Sequence, residues 1–152
     1  HTNDALSSFT RLIDMGLEPF LVAAPIQGVQ AQRLIRTLCQ NCATASEPPR
    51  NFEKDISEHV KPFVENNWKK AVGCPQCQHT GYSGRCGIYE LIPVDGQLQD
   101  LIGTGATLND LKRSVSKRGF RNLKEDGYIK ASRGETALEE VMRVLGNEEG
   151  AI

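Results

Sequence analysis

Four cysteines fall into two Cys-x-x-Cys pairs, Cys39-Gln-Asn-Cys42 and Cys74-Pro-Gln-Cys77, with residues 43–73 between them. Each pair can curl so that two thiolates face one point about 2.3 Å away, and two pairs close a tetrahedral S4 shell suited to zinc. The spacer is longer than the usual zinc-ribbon gap of about 15–20 residues, so it must carry structure of its own. Two disulfides or a redox pair are the competing uses. No thioredoxin-like βαβ pattern surrounds either pair. The fifth cysteine, Cys86, leaves an odd count, which suits a reducing compartment better than a disulfide framework. The expectation is structural zinc held by Cys39, Cys42, Cys74 and Cys77. An all-thiolate shell leaves no open position for water, so catalytic zinc is not expected. His59 and His79 are alternative ligands by residue type, and both read as surface residues.

Something must bring the two pairs together. Gln32–Leu38 reads either as a continuing helix or as a strand. Arg85–Ile92 reads more clearly as a strand, with Cys86, Ile88 and Ile92 on one face and Tyr89 and Leu91 on the other. Pairing the two runs as an antiparallel hairpin places the cysteine insert at its tip. Inside the insert, Phe52, Ile56, Val60 and Phe63 fall at helical intervals. Pro62 disfavours helix in the residue before it, so one short helix ending near Val60 is expected. Trp68 and Val72 are expected to cover the metal, and Gly81 and Gly84 to permit turns that aim amides at sulfur.

The flanks read as helices. Asn3 or Asp4 caps a first helix carrying Leu6, Phe9 and Ile13, with Gly16 as its stop. Glu18-Pro19 opens a second. After Pro93 the pattern is helical to the end. Leu98, Leu101 and Ile102 mark one helix, and Thr107-Leu-Asn-Asp110 opens another with a capping box that uses Asp. Phe120–Ser132 follows, with Leu123 and Ile129 as core contacts. Thr136-Ala-Leu-Glu139 reads as a capping box for a last helix whose buried stripe is Leu138, Val141, Met142 and Leu145. These stripes read as helix packing rather than a ligand box. The metal is accordingly expected to hold the insert alone, leaving Leu98–Leu145 ordered without it.

The chain has 152 residues with 18 Lys+Arg against 19 Asp+Glu. That balance argues against a dedicated nucleic-acid binder. No apolar run is long enough to span a bilayer, so a soluble chain is expected. There is no P-loop, because no lysine is followed by Ser or Thr. No Ser-His-Asp signature or His-Glu-x-x-His motif occurs. The abrupt start at His1 reads as a piece of a longer protein. By its own chemistry this segment is a zinc-stapled structural or interaction module.

A longer series of motifs is more specific. His1-Thr-Asn-Asp-Ala5, Arg11-Leu-Ile-Asp-Met-Gly16, Pro19-Phe-Leu21, Ala31-Gln-Arg-Leu-Ile-Arg36 and Cys39-x-x-Cys42 succeed one another in order. Gly73-Cys-Pro-x-Cys77, His79-Thr-Gly-Tyr82, Gly84-Arg85-x-Gly87-Ile-Tyr-Glu90 and Leu138-Glu-Glu-Val141 then follow. Together they closely resemble the C-terminal part of the type II secretion ATPase E and type IV pilus assembly ATPase family, of the secretion ATPase superfamily. The resemblance implies a RecA-like, homohexameric motor that uses ATP and Mg2+, with Walker A, acidic box and Walker B upstream of His1. His1 would be the end of the family's His box, which senses or supports the γ-phosphate, and is the one catalytic candidate here. Partners would be inner-membrane secretion or pilus platform proteins, with no nucleic acid and no direct membrane span. The location would be cytoplasmic and peripheral to the bacterial inner membrane.

The expected fold is α+β and mainly helical. Residues 1–38 would end the RecA-like core and 39–84 form the tetracysteine zinc-binding subdomain. Residues 85–95 would be the return strand and 96–152 the C-terminal helical subdomain. The alternative is a free-standing zinc module that binds protein or nucleic acid.

Overall fold

The structure, a computed structural model, describes residues 2–48, 50, 54 and 56–146. It is α+β, with six α-helices and two small two-stranded sheets among the described residues. Strand β1 (Gly28–Leu38) neighbours the later strand β4 (Tyr82–Pro93), confirming the strand reading of Gln32–Leu38. The amide of Val94 donates to the Gln27 carbonyl at 2.9 Å, and that of Cys39 to the Gly81 carbonyl at 3.0 Å. Those bonds close opposite ends of the ladder, so the pair is antiparallel. In β4, Ile88 and Ile92 are buried while Tyr89 and Leu91 are exposed, as alternation requires. Glu90 shares the buried face, which the apolar pattern alone did not reveal.

The chain forms two compact units. The first comprises residues 1–31 and 89–122. Helix α1 (Ser7–Asp14) begins where the Asp4 carboxylate accepts from the Ser7 amide at 2.7 Å and hydroxyl at 2.6 Å. It ends at Gly16, whose φ of +96° suits glycine. Helix α2 (Pro19–Ala23) starts on Pro19 and packs against α3 (Gly96–Gly103), which is capped by Asp95. Thr107 and Asp110 form the expected reciprocal capping box of α4 (Leu108–Ser116). Phe9, Val22, Ile92, Leu98, Ile102, Leu111 and Val115 are buried. Buried Glu90 accepts from the Ala5 amide at 2.9 Å, tying α1's approach to β4.

The second unit comprises residues 32–88 and 123–152. It holds the cysteine insert, with strands β2 (Thr44–Ala45) and β3 (Lys69–Lys70), and helices α5 (Leu123–Ser132) and α6 (Leu138–Leu145). The last four helices are thus divided, with α3 and α4 in one unit and α5 and α6 in the other. Within the insert, Phe52 lies outside the described residues. Residues 58–60 form a turn, and a 3-10 turn over Lys61–Phe63 follows with Pro62 in its first turn. The short helix expected to end near Val60 is not seen among the described residues 56–60; Pro62 instead sits inside the 3-10 turn, at a position where its missing N–H costs nothing. Thr136 does not cap α6. Its hydroxyl donates to the Arg36 carbonyl at 2.7 Å, so the backbone of β1 takes the group that the helix end would have used.

Helices α5 and α6 meet at Gly127. A Cβ there would stand 2.5 Å from Val141 Cγ1 and 3.3 Å from Cγ2. Valine is stiff about χ1 and cannot swing away cheaply. Overpacking of this kind costs about 1–3 kcal/mol, against a helix-propensity gain of about 1 kcal/mol for Gly to Ala. Gly127→Ala is expected to lower stability by about 1–2 kcal/mol in urea unfolding. An unchanged or raised midpoint would show that the two helices can separate without penalty.

Candidate metal centre

The hairpin carries its two chains to the Cys39–Gly81 bond, and the cysteines lie just beyond it. Past Cys39, the Cys42 and Ala43 amides turn back to the Cys39 carbonyl at 3.3 and 3.0 Å. The second pair curls the same way over the 3-10 turn Pro75–Cys77, with the Cys77 and His79 amides on the Cys74 carbonyl at 3.1 and 2.9 Å. On the far side, β2 and β3 pair antiparallel, Thr44 opposite Lys70 and Ala45 opposite Lys69. The cysteine turns therefore lie between two ladders. This accounts for the long spacer: the chain leaves on β2, returns on β3, and residues 46–68 do other work.

All four sulfurs lie within 4.8 Å of one another. Cys39 to Cys74 and Cys42 to Cys77 are 3.9 Å, and Cys74 to Cys77 is 3.8 Å. A regular tetrahedron with metal–sulfur bonds of about 2.3 Å has edges of about 3.8 Å. The donor set and its spacing thus fit one tetrahedral thiophilic ion. None of the five cysteines is in a disulfide, and Cys86 stands apart from the cluster with its thiol pushed up mainly by burial. His59 and His79 are exposed, and neither joins the four cysteines.

Backbone amides support the sulfurs. Gly73 N donates to Cys42 Sγ at 3.3 Å, while Cys74 N and Gly81 N donate to Cys77 Sγ at 3.2 Å each. The Asn41 side-chain amide reaches Cys74 Sγ at 3.3 Å. Burial opposes a thiolate at Cys77, but the Cys74 and Gly81 amides outweigh it and bring the group down to about 6. Asn41 leads the donors that lower Cys74. Cys42 moves the other way, pushed up to about 11 by burial and by its neighbouring sulfurs against the single Gly73 amide. Gly73 has φ +117°, and a Cβ there would stand 2.7 Å from the His79 carbonyl oxygen, so the close approach of the two turns requires glycine. Gly81 meets the expectation placed on it. Gly84 instead lies in β4 beside Thr37, away from the sulfurs. Trp68 is buried, whereas Val72 is exposed. His1 lies outside the described residues.

The stretches on either side of the 58–60 turn are strapped to α5. Buried Glu125 accepts from the Ser57 amide at 2.9 Å and hydroxyl at 2.6 Å. Ser132 receives the Asn67 amide on its carbonyl at 2.8 Å and the Glu65 amide on its hydroxyl at 3.0 Å. The Trp68 carbonyl then accepts from Ser46, which closes the ribbon above β2 and β3. Glu125, Ser132, Asn41 and Gly73 support the site, and of these only Gly73 belonged to a motif read in the sequence. The glycine immediately before Cys74 was the one available sign.

A hairpin whose tip gathers four thiols into one metal-sized shell defines a tetrathiolate module with helical flanks. The chain belongs to the family described as Type II/IV secretion system protein, which it matches over residues 1–143. It is 44% identical over 144 residues to the type II secretion system protein HxcR of Pseudomonas aeruginosa, covering 95% of this chain and 27% of that protein. It is 43% identical over 145 residues to the type IV pilus assembly ATPase TfpB of Acinetobacter baylyi, covering 95% and 25%. With the type II secretion system ATPase E of Vibrio cholerae the identity is 43% over 145 residues, covering 95% and 28%. The chain spans about a quarter of the length of the curated relatives it matches. Among the described residues, no helix is long and apolar enough to cross a membrane.

Proposed function

We propose that this chain is the C-terminal portion of a homohexameric ATPase that powers type II protein secretion or type IV pilus assembly at the bacterial inner membrane. The observation that carries the reading is the family match over nearly the whole chain, together with relatives that are named as ATPases and are about four times as long. The P-loop that such an activity needs is absent from these 152 residues, so this portion supplies structure and subunit contact rather than the phosphate cradle. In this reading residues 1–38 and the return strand 85–95 end a RecA-like core, 39–84 are the zinc-binding subdomain, and 96–152 the helical subdomain. His1 ends the His box. ATP and Mg2+ bind in the remainder of the protein, and the inner-membrane platform proteins of the secretion or pilus system are its partners.

Cys39, Cys42, Cys74 and Cys77 would hold one zinc. Bound there, it supplies a cross-link between the two turns and, with four thiolates, leaves no place for a reacting water. Two measurements test the proposal. Protein purified without added metal should contain about one zinc per chain. The chain alone should not hydrolyse ATP, whereas the complete gene product should do so with Mg2+. Turnover by the chain alone that survives repurification, or a complete gene product without a P-loop, would overturn the assignment. Metal-free protein with all five thiols reactive would overturn the zinc.

A further inference from the structure

Residues 111–122 carry Lys112, Arg113, Lys117, Arg118 and Arg121 and no acidic residue, in a chain whose formal charge is −1. Three of these cations line an open groove of about 350 Å³ between α3 and α4, together with Gln97, Leu101, Ala106, Asp110 and Ser114. We propose that this groove is a docking site for an acidic peptide segment of a partner protein, one that places carboxylates against Arg113, Lys117 and Arg118 and an apolar side chain on Leu101 and Ala106. The proposal does not depend on the ATPase reading.

The groove is partly built in advance. Arg118 is fixed by Asp95 Oδ2 at 2.6 Å, Gln97 Oε1 at 3.2 Å and Ser114 Oγ at 3.1 Å. Asp95 is itself held by the Leu98 amide, so the guanidinium is anchored to the start of α3. These bonds use both N–H groups of Nη2 and one of Nη1, leaving one N–H on Nη1 and one on Nε, each able to donate singly to a carboxylate. Arg113 is exposed and only loosely paired with Asp110 at 3.6 Å, a contact of little strength in water. The Asp110 carboxylate is engaged chiefly with Thr107. Lys117 is exposed at the groove's edge.

The shape favours a peptide over a lipid surface. Helices that lie on membranes present an apolar face to the acyl chains, but Leu111 and Val115 of α4 are buried within the unit. The exposed side of α4 is cationic and polar, and the apolar floor is recessed. A flat array of headgroups cannot reach Leu101 and Ala106, whereas an extended peptide with alternating acidic and apolar side chains can.

The test uses the whole chain and a fluorescein-labelled decapeptide of alternating Glu and Leu, read by anisotropy. Saturable binding is expected, weakened at least tenfold by the double substitution Arg113→Glu, Lys117→Glu and by raising salt to 0.5 M. The substitution Lys69→Glu, Lys70→Glu reverses an equal charge on β3 and should leave binding within twofold. Replacing Leu by Ser in the peptide should also weaken it. Absence of binding, or equal loss in the two double variants, would overturn the proposal. It would also fall if vesicles with anionic lipid bound in a manner sensitive to Arg113→Glu, Lys117→Glu while the peptide did not. Circular dichroism of each variant checks that the fold is retained.

Discussion

Cys74→Ser, or a strong chelator, is expected to unfold the insert and loosen α5 and α6 while leaving α3 and α4 protected. Structural zinc contributes apparent binding energy of about 10–16 kcal/mol in small modules, against a total domain stability of about 5–15 kcal/mol. The insert has little else to hold it. Among the described residues of its spacer, the buried apolar ones are Ile56, Val60 and Trp68. Its spacer binds α5 through Ser57, Glu65 and Asn67, so loss of the clamp also removes partners from Glu125 and Ser132. The helices of the other unit close on their own core of Phe9, Val22, Leu98, Ile102, Leu111 and Val115. Hydrogen exchange with and without metal reads the difference, and fluorescence of the single, buried Trp68 gives a second signal. If α3 and α4 lose protection equally, the two units fold as one. If residues 39–81 keep theirs, the cysteines are no clamp.

Glu140 on α6 should be the most costly single carboxylate to neutralise. Its side chain is fully buried and accepts four hydrogen bonds. Arg36 N and Arg143 Nη2 reach Oε1 at 3.0 and 2.7 Å, and Arg36 Nη2 and Arg143 Nε reach Oε2 at 2.7 and 2.8 Å. Burial resists the charge, but Arg143 and Arg36 together hold the carboxyl down to about 2. Arg36 also lies 4.1 Å above the Tyr82 ring, which fixes its approach. Glu140→Gln keeps the shape, but its amide would point a donor at a guanidinium.

A carboxylate depressed in the folded state contributes its full stability above the unfolded value of about 4.3, and loses it as pH falls toward the folded value. The arginines are about half exposed, so solvent screening reduces the contribution to about 2 kcal/mol. Wild type and Glu140→Gln should therefore differ by about 2 kcal/mol in urea unfolding at pH 7, with the gap closing below about pH 4.5. Any metal held by the four cysteines would leave both proteins over the same acid range, so the gap isolates Glu140. A gap that stays constant to pH 3 would show that the carboxylate's charge is not what stabilises this contact.

Much of this fold is written in local pattern. The cysteine spacing, the alternation of Ile88, Tyr89, Leu91 and Ile92, and the glycine after α1 each express a constraint within a few residues. Buried polar contacts carry no such period. Glu90 meets Ala5, Glu125 meets Ser57, and Glu140 meets Arg36 across spans of 68 to 104 residues. Thr136 shows the cost of reading locally: the residues of a capping box are present, but the hydroxyl has a better partner in the strand alongside. Helix α5 likewise shows no apolar stripe, because its buried residues include Glu125, Asp126 and Ser132, so its sequence does not say that the insert covers it. That the four cysteines gather was legible in their spacing, whereas the amides of Gly73, Cys74 and Gly81 acquire meaning only once the turns close.

The hairpin is already shut at the Cys39–Gly81 bond, and the four thiols gather immediately beyond it, with the second ladder and the Ser46–Trp68 bond behind them. Chain added between Ser46 and Ser57 therefore enters a span whose ends are held independently. Its cost is loop entropy, about 0.6 kcal/mol for each doubling of length. This segment is consequently where descendants of one ancestor can drift in length and composition while the strands and the sulfurs on either side keep their register.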